Sequence, residues 1–276
     1  MDNGSLDDSV KSIRCAYPNV KVIETGENLG FAEGNNVGIR ESLDSDYILI
    51  LNNDTTVAPN LLGDLVSAGE SDLQTAVVGP VICYADQSET VWCAGLQVGH
   101  GSSFGISLNY TSSIPMYSGR PVAEVPDQPF EVDAVVGCAM FIRTRVLREI
   151  GLLDASLFMI HEDFDWSLRA RASGYRCMTL PVAGVWHRVS SSMKLQEQRG
   201  NPFSVYYWYR NWLILVRKHF GRKAMLSVIF LYTLRLFPIL ILGSVLRFEF
   251  SLALLSAYFF ALTDAVGGRL KLRFMR

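Results

Sequence analysis

An α/β sandwich built on a mixed, mostly parallel sheet is the fold this sequence predicts, on three observations. Over residues 1 to about 190, short β-rich runs alternate with stretches of helical periodicity. Those runs are near-continuously apolar, as strands covered by helices on both faces are. Each is also too short to cross a bilayer, so burial in a sheet is the better use for it.

Taken in order, a helical stretch at 8–16 comes before a strand at 20–24. A helix at 35–43, a strand at Tyr47–Leu51 and a helix at 59–67 follow. Strands at 76–82 and 132–142 come next, then a helix at 163–173 in which Phe164, Leu168 and Ala172 share a face, and a strand at 177–186. Residues 99–129 are rich in Gly, Ser and Pro with weak periodicity, which predicts an extended loop or irregular insert over one end of the sheet.

Composition changes after residue 196, dividing the chain into 1–196 and a helical region 197–276. Residues 202–220 carry aromatics at helical spacing, including Phe203, Tyr206, Tyr207, Tyr209 and Trp212. Residues 224–246 are long enough to span a membrane, but Arg235 falls at their centre and Pro238 interrupts them. Residues 248–263 are short for a span. Two interfacial helices or a re-entrant hairpin fit best, with Arg217, Lys218, Arg222 and Lys223 at headgroup level. True spans and a soluble helical subdomain are the other readings. The tail 269–276 is basic and apolar by turns.

The chain has 276 residues, 49% hydrophobic, enough for one large core with an appendage. A net charge of -2 gives no global basic field for nucleic acid. Five cysteines, an odd number with no CxxC spacing, predict buried thiols in a reducing compartment rather than a disulfide or zinc framework. Met1 to Ser5 is polar and predicts no secretory leader.

Four clusters could carry chemistry, and each has a plainer use. Asn52-Asn53-Asp54 follows a strand, where Asp54 suits a hard cation; such a triplet also makes an ordinary polar turn. Glu162, Asp163 and Asp165 crowd a helix start; acids there also complement the helix dipole. Arg169 and Arg171 on the same helix would then be structural counter-charges. His187 ends a strand and could pair with a distant Asp on a metal, though a lone histidine is more often structural. Asn28-Leu-Gly30-Phe31-Ala-Glu-Gly34-Asn35 leads into a helix, and its glycines allow close backbone approach to phosphate or ribose. The spacing is not GxGxxG, so a Rossmann site is not supported.

The order of these pieces is more specific than any one of them. Asp2-Asn-Gly-Ser5, Asn28 to Asn35, Leu51-Asn-Asn-Asp54, Val132 to Met140, Glu162-Asp163, Arg169-Ala-Arg171, Gly174-Tyr175 and His187 together resemble family 2 glycosyltransferases. The rhamnosyltransferase-like branch, which builds cell-surface polysaccharides, is the most similar. The resemblance covers residues 2 to about 192 and, more loosely, 206–219 with Arg210-Asn211. It implies a GT-A-like three-layer sandwich with C-terminal membrane-associated helices. It implies an inverting transfer from a nucleotide-sugar to a glycan acceptor, lipid-linked, at the cytoplasmic face of the cell membrane. Asp163 matches the catalytic base, with Glu162 beside it. Asp2, Asn28, Gly30, Phe31 and Asn53 match the donor site, Asp54 and His187 the ligands of a divalent metal (Mn or Mg), and Gly137 and Met140 the segment bordering sugar and acceptor. Two departures stand out. Asn52 replaces the first Asp of the DxD-like motif, and the family's first strand, helix and second strand are missing ahead of Asp2. The alternative is a non-catalytic truncated homologue acting as a membrane-associated sugar-nucleotide-binding or scaffold protein.

Overall fold

The computed structural model of the chain describes residues 1–103, 106–188, 202–245 and 252–268. Helices α1 (Ser9–Ala16) and α2 (Gly30–Arg40) lead to strands β1 (Tyr47–Leu51) and β2 (Thr55–Val57), then helix α3 (Leu61–Glu70). Strands β3 (Thr75–Tyr84), β4 (Val91–Cys93), β5 (Leu96–Ser103), β6 (Ile106–Pro115), β7 (Phe130–Val132) and β8 (Ala139–Arg143) follow. Helices α4 (Thr144–Ile150) and α5 (Glu162–Ala172), strand β9 (Arg176–His187) and helices α6 (Pro202–Val245) and α7 (Leu252–Gly267) end the order.

The main sheet has seven strands on the path β1-β8-β3-β9-β2, with β4 beside β3 and β7 beside β9. Strand β3 is central and buried along nearly its whole length, which is why it reads as an unbroken apolar run. Successive residues alternate between two cores. Val77, Met140 and Ile142 pack with Ile39 and Trp166 on one face, while Val78, Ala139 and Phe141 pack with Leu61 and Leu65 of α3 on the other. Helices on both faces make three layers.

The sheet is mixed, as the sequence predicts, but its ladders are mainly antiparallel. Among the described strands only β3 and β9 pair in parallel. Strand-helix alternation implies parallel pairing only when neighbours in sequence become neighbours in the sheet. Here β8 enters between β1 and β3 and runs against both.

Three other segments differ from expectation. Residues 20–24 make no strand; they contribute one parallel bridge, Asp2 to Glu24, because no further strand lies beside them among the described residues. The run 132–142 is broken into β7 and β8 by a corner that carries Gly137. Within 99–129, β5 and β6 form an antiparallel two-stranded sheet instead of an irregular insert, since hairpin pairing satisfies the backbone even where Gly and Ser weaken the side-chain pattern.

In the C-terminal region α6 breaks at Gly221, whose φ of 87° and ψ of 172° are not helical. The first segment packs on the sandwich, where Trp212, Leu213 and Val216 join Phe164 and Leu168 of α5 in one buried cluster that also takes in Met225, Val228 and Ala265. Arg217 and Lys218, expected at headgroup level, have internal partners. Arg217 donates to the carbonyls of Ala265 and Val266 at the end of α7, and Lys218 reaches Asp154 and Asp165. Leu226, Phe230 and Phe259 remain exposed. No helix among the described residues is long and apolar enough to cross a membrane. The side chains of Arg235 and Pro238, the boundary at 196/197 and the tail 269–276 lie outside what is described.

Candidate active site

A cleft of about 920 Å³ opens over the carboxyl end of β1 and the start of α5. Gly30, Phe31, Asn53, Asp54, Glu162, Asp163 and His187 all line it. Residues from opposite ends of the chain therefore meet as the ordered motifs predict. Asn28 stands behind the lining, where its Oδ1 accepts from the Gly30 N–H. Asp2 is not among the lining residues; its carboxylate accepts from the Ser5 N–H, and its neighbour Asn3 faces the cleft instead.

Asp54 and His187 are joined by sheet register. β2 runs against β9 with Thr55 opposite His187, and the Arg188 N–H donates to the Asp54 carbonyl. The result is a His187 Nε2 to Asp54 Oδ1 distance of 3.1 Å. His187 is 1% exposed, its Nδ1 has no partner, and Trp92 packs edge-on to its ring at 4.6 Å. His187 Nε2 and Asp54 Oδ1, facing each other on the cleft wall, are a nitrogen and an oxygen donor that could share one divalent ion such as Mn²⁺ or Mg²⁺. Such ions take most of their remaining ligands from water and substrate phosphates. Among the described residues no group of three or more His, Cys, Asp or Glu could hold a metal by itself.

The acids at α5 are held by backbone. Asp163 Oδ2 accepts from the Gly137 N–H and Oδ1 from the Phe164 N–H, both at 2.7 Å. Burial raises the Asp163 pKa against the opposing pull of those N–H groups. Glu162 is pushed well above the usual carboxylate range, by burial first and then by the charge of Asp163. Of the pair, Glu162 is displaced further than Asp163, whose carboxylate the two N–H groups favour. Gly137 is closely packed: a Cβ would lie 3.2 Å from the Phe31 ring, which would have to shift by a few tenths of an ångström, and in ordinary contact with the Asp163 Cβ at 3.5 Å. Gly30, at φ 80°, is more tightly confined, since a Cβ would meet the Phe158 carbonyl oxygen at 2.6 Å.

Asp165, in the same acidic run, has a structural use. Lys218, His219 and Arg169 surround it, and hydrogen bonds from the first two with the charges of Lys218 and Arg169 outweigh burial, holding its pKa down at about 2. Arg169 is thus the counter-charge the sequence predicts, but for Asp165. Arg171 pairs with Asp133 and Glu131 instead.

Sequence reasoning missed two positioning side chains. Asn3 accepts from the Leu29 N–H at 3.0 Å and donates to the Gly30 carbonyl at 2.9 Å, so it sets the glycine turn. Asn211, fully buried on α6, donates through Nδ2 to the carbonyls of Leu157, Met159 and Ile160 at 2.7, 2.7 and 2.9 Å. Arg210 beside it donates to the Ser156 carbonyl at 3.2 Å. Together they hold the turn that delivers Glu162 and Asp163. The signal was present in the resemblance of Arg210-Asn211, but not what the pair does.

Comparison with known proteins bears on the family and the fold. The model of glycosyl transferase family group 2 matches residues 47–263. A low-salt glycan biosynthesis hexosyltransferase from Haloferax volcanii is 26% identical over 212 residues, covering 76% of this chain and 64% of that protein. An N-acetylglucosaminyl-diphospho-decaprenol L-rhamnosyltransferase from Mycobacterium tuberculosis is 24% identical over 204 residues, covering 69% and 66%. The chain thus matches a little under two thirds of the length of these relatives. The fold is that of the crystal structure of GalNAc-T7 with UDP, GalNAc and Mn²⁺, at a TM-score of 0.52 and 17% identity, covering 77% of this chain and 39% of that one.

Proposed function

The chain belongs to glycosyl transferase family group 2, and from that premise we propose that it transfers a sugar from a nucleotide-sugar donor to a glycan acceptor with inversion at the anomeric carbon. One observation carries the reading. Asp163, buried and fixed by the Gly137 and Phe164 N–H groups, shares a cleft with the Asp54–His187 pair, so a base and an anion-neutralising centre face one space.

The step follows from the positions. The acceptor hydroxyl attacks the anomeric carbon on the face opposite the diphosphate. A new C–O bond forms, the sugar–phosphate bond breaks with its electron pair going to the diphosphate, and the hydroxyl proton passes to Asp163. A carboxylate is a weak base for an alcohol, so its raised pKa favours the task and proton transfer comes late. A divalent metal held by Asp54 and His187 supplies charge neutralisation at the leaving diphosphate. Gly30 and Phe31, with Asn28 and Asn53, would hold the donor's nucleotide.

A lipid-linked acceptor, met at the cytoplasmic face of the cell membrane in cell-surface polysaccharide synthesis, is the setting we favour. The M. tuberculosis relative is named for a decaprenol-linked acceptor. Leu226, Phe230 and Phe259 also expose apolar surface on α6 and α7, with Arg222 and Lys223 exposed nearby in sequence.

The test is a thermal-shift screen of dTDP-, UDP- and GDP-sugars, with manganese or a chelator, followed by turnover with the donor that binds. Stabilisation by at least one donor in manganese, and its loss in Asp54→Ala and His187→Ala, is expected. Equal donor affinity with manganese and chelator would remove the metal. Binding without turnover would favour the non-catalytic homologue, and no binding at all would overturn both.

A further inference from the structure

The far wall of the cleft, away from the Asp54–His187 pair in the chain, has features that the step above does not use. Leading into α5, Phe158, Ile160 and His161 all take positive φ, at 61°, 70° and 73°. Non-glycine residues seldom hold that conformation, and the strain persists here because Asn211 and Arg210 pin the turn's carbonyls. At the end of the turn two polar atoms are buried with no hydrogen-bond partner, Nε2 of His161 and Oε2 of Glu162. Both residues are 5% exposed and both line the cleft. Leaving such atoms unpaired is costly, and a ligand that pairs them recovers the loss.

Trp208 packs against the first of these residues. Its ring centroid is 4.8 Å from that of His161, on which Trp212 also packs at 5.1 Å. Trp212 is buried, but Trp208 is 41% exposed and lines the cleft. A large indole left open beside orphaned polar atoms is matched by one common ligand chemistry. A pyranose ring presents an apolar face of axial C–H bonds, which packs on an aromatic plane, and a rim of hydroxyls able to donate and accept. Burial holds the His161 imidazole neutral, its pKa down at about 3, so the ring offers a hydrogen bond without a charge to desolvate.

We propose that Trp208, His161 and Glu162 form the subsite for the acceptor sugar, with the indole carrying the pyranose ring and the two orphaned atoms pairing with its hydroxyls. The role as acceptor subsite rests on the transferase reading; the carbohydrate contact does not. His161, Glu162 and the base Asp163 are consecutive, and all three line the same cleft as Trp208, so the subsite and the base share one space.

The experiment titrates the full chain with octyl β-pyranosides of glucose, galactose, mannose and N-acetylglucosamine below their micelle concentrations, following tryptophan fluorescence. A sugar-free octyl ether is the control. At least one glycoside should quench saturably beyond the control, and Trp208→Ala should weaken its binding roughly tenfold. Trp208→Phe should retain part of the affinity, and His161→Gln should retain more than His161→Leu. In turnover, Trp208→Ala should raise KM for that glycoside while leaving kcat and donor binding near wild type. Glycosides that quench no more than the control, or that bind Trp208→Ala and wild type alike, overturn the subsite. Trp208-dependent glycoside binding in a protein that binds no nucleotide-sugar would overturn the transferase reading and leave the subsite standing.

Discussion

Residues 1–28 and the α5–α6 side of the molecule serve one cleft and are built in opposite ways. Helix α1 buries no residue, and Ile13 and Tyr17 are exposed. The segment's Asp2–Glu24 bridge and Arg14–Glu24 ion pair are internal, and it is held to the rest of the chain by the amide of Asn3, which bonds Leu29 and Gly30, and by a surface ion pair between Lys21 and Glu41. On the other side, buried side chains carry the site: Asp165 held by Lys218, Arg169 and His219, Asn211 against three carbonyls, and Trp212 within an apolar cluster. Residues 1–28 can therefore give locally, while the acids are fixed by groups that cannot shift without leaving polar atoms unpaired. Local stability follows buried contacts in this way.

The first test of that contrast is chemical. Asp163→Asn should lower turnover by about 10²–10⁴-fold with donor binding retained, because the side chain keeps its shape and loses its basicity. Glu162→Gln should keep most activity, since the amide keeps the side chain's shape and hydrogen-bonding capacity and the base at Asp163 is untouched. Steady-state rates of the two variants separate these outcomes, and equal losses would mean that the two acids share one function.

Next in size is the clamp. Asn211→Leu removes an amide whose two N–H groups are shared among three carbonyls, at about 1 kcal/mol or more per N–H, so denaturant unfolding should show a loss of roughly 2 kcal/mol. Asn3→Ala releases one N–H and one carbonyl in a partly exposed turn and should cost less. A larger effect at Asn3 would reverse the comparison.

A third test uses pH. The Asp165 pKa of about 2 lies below its ordinary value of 3.8, so the unfolded chain takes up the proton first. Its stabilisation, about 2 kcal/mol, is complete above pH ~4 and is lost as pH falls toward 2. Asp165→Asn should be less stable at neutral pH and should show a shallower decline below pH ~4 in melting curves. Parallel curves for variant and wild type would remove the network from the account.

Smallest should be changes on α1. Ile13→Ser and Arg14→Ala alter exposed positions and should shift stability by no more than about 0.5 kcal/mol. A larger shift would show that α1 packs against something the chain does not supply.

What could be read in advance follows the same division. Strand β1 was legible to the residue because Tyr47–Leu51 is apolar throughout and bounded by polar turns. Asp54 and His187 were legible through the order of motifs, and β2–β9 register brings them together. Residues 20–24 have the composition of a strand, but a strand exists only where another lies alongside, and composition does not reveal that. Asn211 was illegible for a different reason. Its partners are carbonyls 51 to 54 positions away, and backbone carbonyls carry no sequence signal. The sheet's antiparallel bias was hidden likewise, since strand order is set by packing across the whole domain rather than by any local run.

The distribution of thiols has a practical consequence. Cys83, Cys93, Cys138 and Cys177 are buried, and burial pushes each thiol's pKa up, to about 12 for Cys93 and Cys177. Cys15, on α1, is exposed. A maleimide dye or nitroxide added to the native chain should therefore attach at one place, in the lightly held segment, with no cysteine removed beforehand. Fluorescence anisotropy or spin-label spectra from that position would report how that segment moves when a donor enters, without perturbing the side that holds the acids.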